Sequence, residues 1–216
     1  MSGTFITFEG IDGSGKSTQL RLVSNYLKEQ GCNVVLTREP GGTTIGLRLR
    51  AALLDANEEV DPLTELLVFA SDRAQHVRRV LRPALANDQI VISDRYADAT
   101  VAYQGAGRGF NPELVAEIIQ LATEGLKPDL TLLFDVPVEE SVSRTARRGS
   151  ARRDRLDIER SEFHQRVREA YLQIAAAEPE RVKVIDSGGP VETTQARLRS
   201  ILIPFLKSRG YLTQHV

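Results

Sequence analysis

Apolar residues follow two patterns along this chain, and the two patterns alternate from one end to the other. Short continuous apolar runs, rich in β-branched and aromatic residues, are typical of buried strands. They predict strands at residues 5–8, 33–37, 89–93, 130–136 and 181–185. Between these runs, apolar residues recur every three or four positions, the spacing of one helix face. That spacing predicts helices at residues 17–30, 44–54, 62–86, 112–124, 138–148, 159–177 and 192–208.

Alternation of strands with helices is typical of βαβ units and therefore of a parallel sheet. Runs such as residues 90–92 and 132–134 are apolar throughout, which indicates a sheet covered on both faces. We predict an α/β fold with a doubly wound, five-stranded parallel sheet flanked by helices, in which ligands bind at the carboxyl ends of the strands. The 216 residues contain no internal repeat and no linker, so we expect one domain over residues 1–216.

The segment FEGIDGSGKST, residues 8–18, lies between the first predicted strand and the first predicted helix. Its glycines, lysine and serine fit G-x-x-x-x-G-K-[ST], the phosphate loop of P-loop NTPases. In that context the backbone N–H groups and the helix N-terminus hold phosphates, the lysine reaches the β- and γ-phosphates, and the serine hydroxyl ligates Mg²⁺. The predicted ATP-binding residues are Gly10, Ile11, Asp12, Gly13, Ser14, Gly15, Lys16, Ser17 and Thr18.

Charge and cysteine content narrow the choice of partners. Lys and Arg number 28 against 29 Asp and Glu, so nothing favours binding to nucleic acid or to an anionic membrane. The single cysteine, Cys32, excludes an intramolecular disulfide and a metal site built from several cysteines. The sequence shows no secretory leader and no apolar run of about 20 residues, so we expect a soluble, cytoplasmic protein.

Residues 147–155 carry five arginines in nine positions, between two predicted helices. Such a run is often only a solvated basic face. Because glycine and serine accompany the arginines in a phosphate-binding protein, we interpret residues 147–157 as a lid that closes over phosphates and neutralises charge in the transition state.

Three further polar clusters follow or face strand ends, at residues 38–43, 67–73 and 93–105. All three can converge on one cleft, because parallel strands end at one edge of a sheet. A GTPase switch would need an Asn-Lys-x-Asp motif to read guanine, and the sequence has none. A motor or a pump component would need sequence for its partner machinery, for which 216 residues leave little room.

Five motifs, EGIDGSGKST, REPGGT, FASDR, DRY…AYQGAGRG and RRG…DR, occur in the order and spacing of the thymidylate kinase family, which the chain therefore resembles over nearly its whole length. The resemblance implies a nucleoside monophosphate kinase that transfers the γ-phosphoryl group of ATP to dTMP, with Mg²⁺ and as a homodimer. The helix predicted at residues 62–86 can supply the dimer interface or can equally belong to the core.

The resemblance also implies roles for individual residues. The catalytic residues implied are Lys16, Arg95, Asp12, Arg148, Arg153 and Arg155. The dTMP-binding residues implied are Asp12, Glu39, Pro40, Arg50, Phe69, Arg73, Arg95, Thr100, Tyr103 and Gln104. For the metal, Ser17 and Asp94 are implied, whereas Asp135 is better explained as a residue that ends a strand. Phe69 can stack on the pyrimidine or be a core aromatic, and we favour stacking.

Two positions depart from the commonest family pattern. Ala99 stands where many members have serine, but Thr100 supplies the neighbouring hydroxyl, so we expect base recognition to be kept with one hydrogen bond missing. Gly13 stands where some members have a phosphate-loop arginine, so the chain resembles the bacterial-type subgroup, which implies catalytic arginines in the lid. The remaining alternatives are a kinase of another nucleotide or deoxynucleoside and a catalytically inactive nucleotide-binding protein.

Overall fold

The computed structural model describes residues 3–54, 59–147, 156 and 159–212. Its centre is one parallel sheet of five strands in the order β2-β3-β1-β4-β5. The strands are β1 Thr4–Glu9, β2 Val34–Arg38, β3 Ile90–Asp94, β4 Leu130–Asp135 and β5 Val182–Asp186. The prediction of a five-stranded parallel sheet is confirmed, and each strand lies within one or two residues of its predicted position.

Helices connect the strands and cover both faces of the sheet. In the described residues they are α1 Lys16–Glu29, α2 Thr44–Leu54, α3 Pro62–His76, α4 Arg82–Ala86, α5 Ala97–Thr100, α6 Pro112–Thr123, α7 Val138–Ala146, α8 Ser161–Ala177 and α9 Val191–Ser208. Wider π-helical segments, Val77–Leu81 and Val101–Gly107, continue α3 into α4 and extend α5. Among the described residues, no helix is long and apolar enough to cross a membrane.

Two helices begin with the same local device. Asp61 caps α3 by accepting from the backbone N–H groups of Leu63 and Thr64, and Asn111 caps α6 in the same way. In both helices the next residue is proline, whose fixed φ and missing N–H suit the first helical position.

The structure differs from the sequence prediction at two helical segments. The helix predicted at residues 62–86 is interrupted by its π-helical segment, directly before Pro83. Proline inside a helix removes one hydrogen bond and clashes with the carbonyl four residues earlier, so a wider turn relieves both problems. The sequence analysis assigned no helix to residues 97–107, because its two internal glycines and its short length hide helical periodicity.

Apolar cores lie on both faces of the sheet. On one face, Val23 and Leu27 of α1 pack with Leu198, Leu202 and Leu206 of α9. On the other, α8 and the segment 101–107 form a second cluster that contains Val167 and Tyr171. All residues of β1 are buried, as expected for the central strand. The carboxyl ends of β1, β2 and β3 therefore present their following loops at one edge of a rigid sheet.

Candidate active site

The phosphate loop has the backbone conformation that its glycines allow. Gly10 has φ +133°, and a Cβ atom there would lie 2.4 Å from the carbonyl oxygen of Phe134. Gly13 has φ +79°, and its Cβ would lie 2.6 Å from the carbonyl oxygen of Ser141. Any larger residue would therefore be strained and would also collide with backbone at both positions. The loop connects β1 to the N-terminus of α1, as the motif requires.

Lys16 lies inside the loop and is almost fully buried. Its Nζ donates to the carbonyl oxygens of Gly10 at 2.7 Å and Ile11 at 2.9 Å. Burial is the largest cause, and repulsion from Arg95 the second, of a shift that lowers the pKa of Lys16 to about 8. Nearby carboxylates oppose this shift. Because an anionic phosphate stabilises the charged ammonium, phosphate binding would raise the pKa again and tighten the contact.

Oxygen atoms suited to a divalent cation lie beside the loop. The Oγ of Ser17 and the Oδ2 of Asp94 are 3.4 Å apart, and the buried Oδ1 of Asp94 has no hydrogen-bond partner. In the described part of the chain, no group of three or more His, Cys, Asp or Glu side chains could hold a metal by itself. A hydroxyl and a carboxylate with spare lone pairs fit a cation that takes its other ligands from phosphate and water, as Mg²⁺ commonly does.

One cleft contains every residue that the sequence analysis expected to bind the phosphoryl acceptor. It is lined by Asp12, Glu39, Pro40, Arg50, Leu54, Phe69, Arg73, Arg95, Ala99, Thr100, Tyr103, Gln104 and Leu156. These residues come from the phosphate loop, the loop after β2, helices α2 and α3, the segment after β3 and, for Leu156, the connection between α7 and α8. Convergence at the carboxyl edge of the sheet is therefore observed.

Arg73 organises the floor of this cleft although it is only 2% exposed. Its Nε donates to Glu39 Oε2 at 2.7 Å, Nη1 to Thr100 Oγ1 at 2.8 Å, and Nη2 to the carbonyl oxygen of Tyr96 at 2.8 Å. The second oxygen of Glu39 lies 2.8 Å from His76 Nδ1. Phe69, one turn before Arg73, is partly buried and lines the cleft while also packing against the apolar core, so both of its expected environments are present.

Gln104 has a fixed orientation in the cleft wall. Its Nε2 donates to Glu65 Oε1 at 2.8 Å, and Arg108 Nη2 pairs with the other oxygen of Glu65 at 3.0 Å. A carboxylate only accepts, so the amide nitrogen must face Glu65 and the amide oxygen is directed away from it. Gln104 also lines the cleft, and its amide oxygen is the group that can accept from a ligand there.

Arg95 joins the acceptor cleft to the phosphate loop. Its Nη2 donates to Asp12 Oδ1 at 2.8 Å and to the hydroxyl of Tyr103 at 2.9 Å, and that hydroxyl donates to Asp12 Oδ2 at 3.0 Å. Burial disfavours the charged form of Asp12, but Arg95 and Lys16 outweigh it and hold the pKa of Asp12 below its usual range. The charged groups Lys16, Asp12 and Arg95 therefore alternate in sign between the phosphate loop and the acceptor cleft.

Several contributors were not assigned from the sequence. Glu65 and His76 hold Gln104 and Glu39 in place, and both are fully buried on α3. Ionisable residues at 65, 72, 73 and 76 of this helix are separated by helical spacing, a pattern that could have indicated a polar face. Glu9 was noted only as part of the motif.

Other sequence-assigned residues lie away from the cleft or outside the described residues. Asp135 pairs with Arg168 through two bonds of 2.7 and 2.9 Å. Arg144, on α7, donates to the carbonyl oxygen of Gly13 at 3.4 Å and brings an unassigned cation to the phosphate loop. The lid candidates Arg148, Arg153 and Arg155 lie outside the described residues.

Comparisons with known proteins agree with this geometry. A family model described as thymidylate kinase matches residues 8–198. The thymidylate kinase of Geotalea uraniireducens is 48% identical over 206 residues, which cover 93% of this chain and 97% of that protein. That of Pelobacter propionicus is 49% identical over 218 residues, 99% of this chain and 98% of that protein. The crystal structure of the Ehrlichia chaffeensis enzyme superimposes with a TM-score of 0.76 at 35% identity, covering 94% of this chain and 99% of that one.

Proposed function

The chain belongs to the thymidylate kinase family, and from that premise we propose that it transfers the γ-phosphoryl group of ATP to dTMP, giving ADP and dTDP for dTTP synthesis. The observation that carries the proposal is the continuous contact from phosphate loop to acceptor cleft through Asp12, Arg95 and Tyr103. Phosphoryl transfer needs little covalent help, so a protein that aligns two phosphates and offsets their charge supplies most of the catalysis.

On the donor side, the residues from Gly10 to Thr18 bind the ATP phosphates. Lys16 exchanges its contacts with the loop carbonyls for β- and γ-phosphate oxygens. A divalent metal accompanies ATP in this kinase family, and we assign it as Mg²⁺ beside Ser17 and Asp94. When bound, Mg²⁺ would offset the negative charge of the ATP phosphates.

On the acceptor side, four side chains read the base. Phe69 offers its ring face, and Arg73 has N–H groups in addition to those that bind Glu39, Thr100 and Tyr96, so it can donate to a thymine carbonyl. Thr100 accepts from Arg73 and so keeps its own O–H to donate. The oxygen of Gln104 accepts from N3–H of thymine or uracil. Cytosine lacks that hydrogen and would meet acceptor against acceptor.

The sugar and the acceptor phosphate lie closer to the phosphate loop. Tyr103 is held by Asp12 and Arg95, and its bulk disfavours a 2′-hydroxyl. Arg95 and Arg50 grip the acceptor phosphate, since a guanidinium can donate two parallel bonds. Glu39 and Pro40 complete the wall behind Arg50, whose Nη1 donates to the carbonyl oxygen of Pro40 at 3.3 Å.

The lid residues Arg148, Arg153 and Arg155 supply charge to the migrating phosphoryl group, since Gly13 leaves the phosphate loop without an arginine. At least one of them acts only in the transition state. Its replacement by alanine is expected to lower kcat strongly while both KM values change only a few-fold. If all three alanine variants keep the wild-type kcat, the lid assignment is wrong.

An acceptor panel tests the proposed function. ADP production is measured with dTMP, dUMP, UMP, CMP and thymidine, with Lys16→Ala as the baseline. We expect turnover with dTMP, weaker turnover with dUMP, and little with UMP or CMP. A folded protein without dTMP-dependent ADP production would refute the proposal, and faster turnover of CMP would assign the chain to another kinase group. A cytoplasmic location stays a prediction.

We also propose that two copies associate through α3 and α6. These helices contact each other, and each exposes leucines to solvent: Leu63 and Leu67, 46% and 48% exposed, and Leu114 and Leu121, 40% and 80% exposed. Large apolar side chains exposed on two neighbouring helices are candidates for an association surface. Light scattering should show a dimer that Leu121→Glu dissociates, whereas Val191→Glu, at an exposed valine on α9, should leave it intact. A monomeric wild-type protein would refute this assignment.

A further inference from the structure

Glu9 is a buried carboxyl group that has no assigned role in the binding of ATP or of the phosphoryl acceptor described above. It ends β1, directly before the phosphate loop, and is 0% exposed. It lines neither the acceptor cleft nor the metal position. Burying a carboxyl group costs free energy, and well-packed apolar side chains are often as stable or more stable at such sites. Its stabilising value is therefore a weak explanation for its presence.

One oxygen of Glu9 holds the backbone next to Arg95. The backbone N–H of Tyr96 donates to Glu9 Oε1 at 2.6 Å. On the other side, the N–H of Arg95 donates to the carbonyl oxygen of Phe8 at 3.0 Å, and Ser93 Oγ donates to the carbonyl oxygen of Arg95 at 2.7 Å. These bonds surround an arginine with φ +72°, a left-handed conformation that is costly for a residue with a Cβ. β1 thus fixes the direction in which the Arg95 side chain leaves β3.

The other oxygen of Glu9 acts on the guanidinium through Tyr171. The hydroxyl of Tyr171 donates to Glu9 Oε2 at 2.7 Å and accepts from Arg95 Nη1 at 3.3 Å. Whichever of these two groups carries the proton of their shared bond, the Tyr171 oxygen keeps a lone pair that accepts from the arginine. Arg95 is therefore supported at Nη1 by Tyr171 and at Nη2 by Asp12 and Tyr103.

We propose that Glu9 and Tyr171 are positioning residues for Arg95, which hold its backbone and its guanidinium in place for the acceptor phosphate. Neither residue touches substrate. The inference rests on the proposed function, because it concerns the arginine assigned to dTMP phosphate. A small displacement of a phosphate-binding group lowers the rate of phosphoryl transfer. Residues that hold Arg95 in place should therefore affect the rate without touching the substrate.

The test compares Tyr171→Phe, Glu9→Gln and a double variant, Tyr171→Phe with Arg95→Ala. Tyr171→Phe removes one hydroxyl and should lower kcat/KM for dTMP about 10-fold, while KM for ATP stays within about two-fold, because only the acceptor phosphate loses its aligned arginine. Tyr26→Phe, which removes a hydroxyl from α1, is the matched control and should resemble wild type. If Tyr171→Phe does not fold, Glu9→Gln is judged by the same criterion.

A thermodynamic cycle separates positioning from general stabilisation. The dTMP dissociation constant is measured by titration, since we expect Arg95→Ala to turn over too slowly for kinetics. In the Arg95→Ala background, adding Tyr171→Phe should change that constant less than two-fold, because the group that it positions is already gone. An equal loss in both backgrounds, or a kcat/KM for dTMP within two-fold of wild type, would overturn the inference. Failure of the wild type to phosphorylate dTMP would instead overturn the proposed function.

Discussion

Replacing Arg73 by alanine tests whether the floor of the acceptor cleft is an ion-pair network that the fold depends on. The change removes three hydrogen bonds at once, which Arg73 donates to Glu39, to Thr100 and to the carbonyl oxygen of Tyr96. Glu39 is left 2% exposed in its side chain, with His76 as its remaining partner. Breaking a buried pair from one side typically costs about 3–5 kcal/mol. That is a large part of the roughly 5–15 kcal/mol that stabilises an ordinary domain.

Urea unfolding at neutral pH measures this loss. Arg168→Ala is the matched control, because Arg168 also pairs with a carboxylate through two bonds but is 26% exposed. A pair of that exposure should contribute about 0–1 kcal/mol. The double variant Glu39→Gln with Arg73→Ala should recover much of the lost stability, since it removes the unpaired buried charge. It should not recover dTMP affinity, because the proposed donor to the base is still missing.

Two results would refute this reasoning. One is a loss of stability in Arg73→Ala no larger than that in Arg168→Ala, which would show that Glu39 finds another partner. The other is a double variant as unstable as the single one, which would trace the loss to packing around Arg73 and not to the charge of Glu39.

Three further outcomes are expected. Lys16→Ala should remain folded by circular dichroism yet lower dTMP-dependent turnover at least 100-fold, because a charge-assisted phosphate contact is lost; near-normal ADP production would contradict the assigned role. Gln104→Ala and Thr100→Ala should raise KM for dTMP about 10-fold and leave KM for ATP unchanged, since each removes one hydrogen bond to the base; a change for ATP alone would place them in the wrong half of the site. Burial, with Asp98 adding to it, raises the pKa of Glu9 to about 8 from an ordinary value of 4.5, so the folded state holds this proton more tightly than the unfolded state does. The stability that this proton contributes is complete below about pH 4.5 and is lost as pH rises through about 8. In urea titrations, the free energy of unfolding of the wild type should therefore fall relative to that of Glu9→Gln by a few kcal/mol between about pH 5.5 and pH 8.5. Parallel pH profiles of the two proteins would show that the Glu9 pKa is ordinary.

The amino-acid sequence by itself determines the local part of this protein. Strands and helices depend on the spacing of apolar residues within one segment, and the phosphate loop depends on glycines and a lysine within eight consecutive residues, from Gly10 to Ser17. The family resemblance selected the residues that line the acceptor cleft except Leu54, Leu156 and Ala99, the last of which was noted only as a departure. These features could be predicted because each depends on neighbours in the chain.

Only the tertiary structure decided which polar groups meet. Glu39 and Arg73 are 34 positions apart, Glu65 and Gln104 are 39 apart, and Glu9 and Tyr171 are 162 apart. Helical spacing can indicate a polar face, but a single sequence does not identify the distant residue with which a buried carboxylate pairs. The helical segment 97–107 is similar, since its stability comes from contacts with α8 and α6 and not from its own glycine-containing sequence. The supports of Arg73, Gln104 and Arg95 therefore became visible only when the sheet brought separate strand ends to one edge.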